Sequence, residues 1–178
     1  MNNYPDYSSD SSNYYSNQET DSFIRKETTD FGPHPFVTNI NEETMNNNFF
    51  RKALWTGKHL QLALMSLNVG EDIGLESHPD VDQFLRIEEG QGMIKMGTDA
   101  NNLNAKRIVT DDDAIFIPAG TWHNLVNIGN GPLKLYTIYA PPNHPHGTIQ
   151  QTKQDAMAEE AHHPMRTMNY YNPYNNQW

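Results

Sequence analysis

The segment IFIPAGTWHNLVN, Ile115–Asn127, reads as strand, tight turn, strand. Ile115-Phe116-Ile117 is a short β-branched and aromatic run of the kind a pleated, buried surface favours. Pro118-Ala119-Gly120 then turns the chain, because Pro presets the backbone angle of a turn and Gly permits the tight conformation. A second strand follows, and it carries His123. A lone His on a strand is more often structural than a ligand, so His123 needs converging partners before it carries chemistry.

Working outward, the same alternation of short apolar runs and turn signals fills the chain from about Phe36 to Ile149. The runs are 49–55, 59–69, 83–88, 92–96, 105–109, 114–117, 121–128 and 133–140. Between them lie Thr56-Gly57, Gly70-Glu71, Glu89-Gly90, Asp99 to Asn102, Asp111 to Asp113, Pro118 to Gly120 and Gly129 to Pro132. Strands this short and this regularly punctuated predict an all-β sandwich or barrel. Helix is predicted only near 41–46 and over 152–162, TKQDAMAEEAH, which is rich in helix formers and stops before Pro164.

A second window, GEDIGLESHPDVDQFLRIEEGQG (Gly70–Gly92), supplies candidate partners. On extended backbone Glu76 and His78 face one side, with Leu75 and Ser77 on the other. Pro79 to Asp82 can reverse the chain, and Gln83 then opens the next strand facing back toward His78. A carboxylate, an imidazole and an amide inside a barrel are costly unless a ligand, a metal or one another satisfies them. Two readings stand on this window alone: a polar site in the interior, or ordinary residues on a solvated face.

Together the two windows resemble the cupin family of small jelly-roll barrels. The family's second motif, P-x-G-x2-H-x3-N, is matched by Pro118, Gly120, His123 and Asn127, with Asp112 where the family has a preceding glycine. The first motif, G-x5-H-x-H-x4-E-x6-G, is matched in spacing by Gly70, Glu76, His78, Gln83 and Gly90. Here Glu76 stands in place of the first His and Gln83 in place of the Glu. The resemblance runs from near Phe36 to near Ile149. It implies a double-stranded β-helix in which Glu76, His78, Gln83 and His123 occupy the four metal-ligand positions. The formal charge of the ligand set stays at minus one, as with three imidazoles and a carboxylate. Two imidazoles, a carboxylate and a hard amide oxygen favour Mn, Fe or Zn over soft copper. The same residue types in another arrangement hold zinc in phosphomannose isomerases, which are also cupins. Some cupins have lost their ligands and bind no metal, so an empty site in which Glu76 bonds to its neighbours is the competing reading.

The reaction classes this implies are a metal-dependent isomerase, including one acting on sugar phosphates, and a dioxygenase. The alternative is a non-catalytic ligand-binding or structural cupin, for example a component of an assembly such as a spore coat. Apolar residues on both faces of several strands, as in Phe84-Leu85, predict cover by a second subunit, and small cupins resemble this; a homodimer is expected.

Composition sets the outer limits. The chain has 178 residues and a formal charge of −10, from 22 acidic and 12 basic residues. That argues against nucleic acid and anionic membranes as partners; a small-molecule substrate or ligand is what the cupin resemblance implies. No apolar run reaches the ~20 residues of a membrane span, and the N-terminus carries no secretory pattern. The absence of Cys excludes disulfides and thiolate metal sites and fits a cytoplasmic protein. The organisation predicted is a disordered Asn/Ser/Tyr-rich tail over 1–30, a barrel over 31–150, a helix over 151–165 and a Tyr/Asn-rich tail over 166–178. Seven of the 9 tyrosines lie in these two ends, and such segments bury too little apolar area to order themselves. His144 and His146, in a proline-rich stretch after the last strand, are read as a connector in preference to a substrate flap. His162-His163 would complement a helix C-terminus. Asp111 to Asp113 lacks the spacing of a calcium loop and reads as a solvated turn. Trp122 is predicted to face away from His123 and to sit in the core.

Overall fold

The computed structural model describes residues 29–162. The tails assigned on composition lie outside those residues, apart from Thr29 and Asp30. Nine strands and two helices follow one another: α1 (Ile40–Asn46), β1 (Arg51–Thr56), β2 (Gln61–Leu67), β3 (Asp82–Glu89), β4 (Gln91–Gly97), β5 (Ala105–Thr110), β6 (Ala114–Ile117), β7 (Trp122–Asn127), β8 (Leu133–Ala140), β9 (Ile149–Gln150) and α2 (Lys153–His162). Every expected strand is present. The two-residue β9 is an addition that only its pairing with β1 reveals.

The strands form two antiparallel sheets, ordered β6-β3-β8-β2-β1-β9 and β5-β4-β7. Their facing sides enclose one core, in which Leu85 and Leu135 of the large sheet meet Ile94 and Leu125 of the small one. This is the all-β architecture that the turn spacing predicts, in the jelly-roll form that the resemblance implies, with a short C-terminal helix. Residues 72–76 run beside β7 without forming a strand of their own. They make only isolated bridges to β7, Asp72 to Val126 and Glu76 to His123.

Turn chemistry explains the corners. Gly120 has φ +78° and Gly90 φ +97°, both in the left-handed region that a β-carbon disfavours. A β-carbon on Gly90 would also meet the Pro132 carbonyl oxygen at 2.7 Å. Asp112, at the position where the resembled motif has glycine, is the one non-glycine residue at positive φ among the described residues, at 69°. Asp tolerates that conformation better than most side chains. Its carboxylate pairs with Arg86 across the turn.

Register fixes which side chains look inward. In antiparallel pairs, directly opposed residues share a face. Gln83, Tyr139 and Gln61 therefore form one inner row, and Leu85, Thr137, Ala63 and Ala53 form the next. Ile87, Leu135, Met65, Arg51 and Gln150 form the third. One end of the interior is thus polar and the middle is apolar. Trp122 does face away from His123, but it is half-buried on the outside of the small sheet and not a core residue.

Candidate metal centre

His123, Glu76 and His78 meet at the polar end of the interior. Glu76 and His123 form a doubly hydrogen-bonded backbone pair, with Glu76 N–H donating to His123 O at 3.1 Å and His123 N–H to Glu76 O at 2.9 Å. That pairing puts both side chains on the inner face, side by side. His78 is fixed by its carbonyl, which accepts from Gly120 N–H at 2.8 Å. The Pro-x-Gly turn thus locks the two motif segments together.

One ligand atom from each of the three lies within 4.8 Å of the others. Glu76 Oε1 is 3.2 Å from His123 Nε2 and 3.5 Å from His78 Nε2. Two donors held at about 2.1 Å from a single ion stand roughly 3.0–3.4 Å apart, so these separations suit a shared cation. His123 Nδ1 is 2.9 Å from the Thr121 carbonyl oxygen. A carbonyl only accepts, so that nitrogen carries a proton, and Nε2 is the ring nitrogen turned toward Glu76 and placed to ligate an ion. A backbone hydrogen bond that orients a metal-ligating imidazole is the usual outer support of such sites.

Gln83, the fourth sequence candidate, is buried on the inner face of β3 in the polar row with Tyr139. Its Nε2 donates to Thr137 Oγ1 at 3.2 Å. Its Oε1 has no partner, and neither has His78 Nε2. Buried polar atoms are nearly always paired, so an orphaned His78 Nε2 beside a carboxylate and a second imidazole fits a cation, and Gln83 Oε1 is a further unpaired oxygen on the inner face.

Burial alone would raise the Glu76 pKa. The adjacent imidazoles of His123 and His78 and the charge of Arg51 outweigh it and hold the carboxyl well below the usual carboxylate range. The anionic form is what a metal needs.

Three further residues line the site that motif reading missed. Arg51 is 1% exposed. Tyr139 is fully buried, and its ring meets the edges of His78 and His144 at 5.9 and 5.1 Å. Desolvation, helped by Glu76, pushes the Tyr139 phenol up to about 12 against the pull of Arg51. Its hydroxyl lies near Arg51 and Thr137 but makes no well-formed hydrogen bond. Burial, with Arg51 beside it, holds the His144 imidazole well below its usual value. Gln61 anchors the His144 backbone from both sides, accepting from its N–H and donating to its carbonyl, each at 2.9 Å. The segment read as a connector therefore also borders the site. His146 does not: it bonds to the Gly32 carbonyl and approaches Asp30.

Comparison with known proteins agrees with this architecture. Residues 63–139 match the cupin domain family model. The protein YrkC of Bacillus subtilis strain 168 is 66% identical over 131 residues, covering 74% of this chain and 70% of that protein. Protein L612 of Acanthamoeba polyphaga mimivirus is 47% identical over 115 residues, covering 64% and 70%. The crystal structure of BH2720 from Bacillus halodurans superposes with a TM-score of 0.73 at 65% identity, over 73% of this chain and 98% of that one.

Proposed function

We propose that this protein, which belongs to the cupin superfamily, is a divalent-metal protein that binds a small molecule in its barrel interior. Glu76, His78, Gln83 and His123 would hold the ion. One observation carries the reading: Glu76 Oε1 stands 3.2 Å from His123 Nε2 and 3.5 Å from His78 Nε2, the spacing of donors around one ion, and the buried His78 Nε2 has no hydrogen-bond partner. Hard oxygen and imidazole donors suit Mn, Fe or Zn. When bound, such an ion polarises a carbonyl or hydroxyl oxygen of a ligand.

His144, held neutral, and Tyr139, held protonated, border the site, where they can hydrogen-bond the oxygens of a ligand. The assembly alternative rests on the Tyr/Asn-rich ends, which lie outside the described residues. No described helix is long and apolar enough to cross a membrane, and a chain without cysteine suits the reducing cytoplasm.

Elemental analysis of the purified protein tests the centre. Near-stoichiometric divalent metal is expected in the wild type and a loss of at least tenfold in His78→Ala/His123→Ala. Near-zero metal in both, after growth with Mn, Fe and Zn supplied, would overturn it.

A further inference from the structure

Arg51 is placed where a cation is costly, and one edge of it is idle. It lies on the inner face of β1, in the row with Met65 and Leu135, and is 1% exposed. Among the described residues it is the single cationic side chain on the inner face of the large sheet. The neighbouring inner row holds Ala53 and Ala63, whose small side chains leave room for the guanidinium to reach toward Tyr139 and Glu76. Its Nη1 donates to Gln150 Oε1 at 2.8 Å, which sets the orientation of the plane. Gln150 is itself held by Glu159 at 2.7 Å. The Nε–H, fully buried, has no hydrogen-bond partner.

A buried guanidinium normally satisfies its donors with carboxylate or carbonyl oxygens, often in pairs. An unpartnered Nε on an otherwise anchored Arg is a donor edge prepared for an acceptor that comes from outside. The Tyr139 hydroxyl, also unpartnered, stands beside it. We infer that Arg51, with Tyr139, forms a subsite for the carboxylate of a small organic acid whose remaining atoms face Glu76, His78 and His123.

Donor number selects carboxylate over phosphate. Glu76 and Arg51 balance each other, and a divalent ion would add two positive charges, so the interior accepts an anion without a second basic residue. A phosphate dianion needs several donors around its three oxygens, and the inner face of the large sheet offers this one cation. The inference deepens the ligand-site reading above and rests on the same interior, but it does not depend on which metal is held.

Calorimetric titration with acetate, glycolate and malonate, and separately with inorganic phosphate, tests it, with metal content measured on the same samples. At least one carboxylate is expected to bind the wild type, and phosphate more weakly. Arg51→Gln should weaken that carboxylate at least tenfold without lowering metal content. Arg51→Lys keeps the charge opposite Glu76, so it preserves the fold if Arg51→Gln does not. It lacks the planar fork and should also bind at least tenfold more weakly. No saturable carboxylate binding, equal affinity in wild type and Arg51→Lys, or a preference for phosphate would overturn the subsite. Metal without Arg51-dependent binding sinks this inference alone. Arg51-dependent binding without metal sinks the metal centre alone.

Discussion

Glu76 carries its charge in a place that disfavours charge. Burial pushes its carboxyl upward, and two imidazoles and Arg51 together push it further down. Its folded pKa therefore lies below the 4.5 of an unperturbed glutamate. The unfolded chain then binds more protons on acidification, so this group contributes stability above about pH 4.5 and loses it progressively below. In metal-free protein, Glu76→Gln should flatten the fall of melting temperature between pH 5 and pH 3; parallel acid limbs in wild type and variant would show that the carboxylate is not held as described. Alternation set Glu76 beside His78 but left open which face they share; the motif resemblance, carried by Pro118, Gly120, His123 and Asn127 and by the spacing from Gly70 to Gly90, is what placed them in the interior. Arg51 and Tyr139 were not legible in the sequence. Arg51 sits in RKALWT, where alternation does not say which face is inner, and a charged residue on a strand defaults to solvent. Only the register of β1 against β2 and β9 turns it inward.

At the level of elements, strand positions followed from composition, while the segments that fasten them did not. Short β-branched runs between glycines and prolines locate β1 to β8 to within a residue or two. Nothing local marks β9, whose two residues pair because the chain returns past β1. Asp30, assigned to the N-terminal tail on composition, is buried. Its carboxylate accepts from Gly32 N–H at 3.0 Å, Thr56 N–H at 2.9 Å and Gly147 N–H at 2.9 Å, and from the Thr56 hydroxyl at 2.6 Å. One side chain thus joins the segment before α1, the end of β1 and the loop after His144. Composition misses it because the partners lie up to 117 residues away. Asp30→Ala leaves these donors without a charged acceptor, and hydrogen bonds to charged groups contribute about 1.5–3 kcal/mol each. A loss of roughly 3 kcal/mol is expected in urea unfolding, with an unchanged denaturant slope; a loss under about 1 kcal/mol would mean the staple is dispensable.

For the molecule as a whole, the outer face of the large sheet is covered over only part of its width. α1 and its flanks shield one part: Asn41 Nδ2 donates to Glu88 at 2.7 Å, Lys134 Nζ reaches the Asn47 carbonyl and Asn48, and Leu64 is fully buried beneath them. Among the described residues, the rest is left largely uncovered and is mostly apolar. Phe116 is 71% exposed, its ring lies 5.1 Å from that of Phe84, and Phe84 stands 6.1 Å from Tyr136. Ile138 and Leu62 extend the patch across β8 and β2 as half-buried residues. Contiguous apolar surface on a sheet face, next to the unpaired edge of β6, calls for a partner. A second copy is the simplest one, because a two-fold axis through the patch stacks Phe116 and Phe84 against their own counterparts. A homodimer is therefore the assembly we propose. Phe116→Glu places a charge at the centre of that contact while removing almost nothing from the protomer core. Sedimentation velocity should find a dimer for the wild type at tens of micromolar and a monomer for the variant, with unchanged circular dichroism and unchanged metal content, since the inner face is untouched. A wild type that sediments as a monomer, or a Phe116→Glu variant that stays dimeric, would mean that the patch is not the subunit interface.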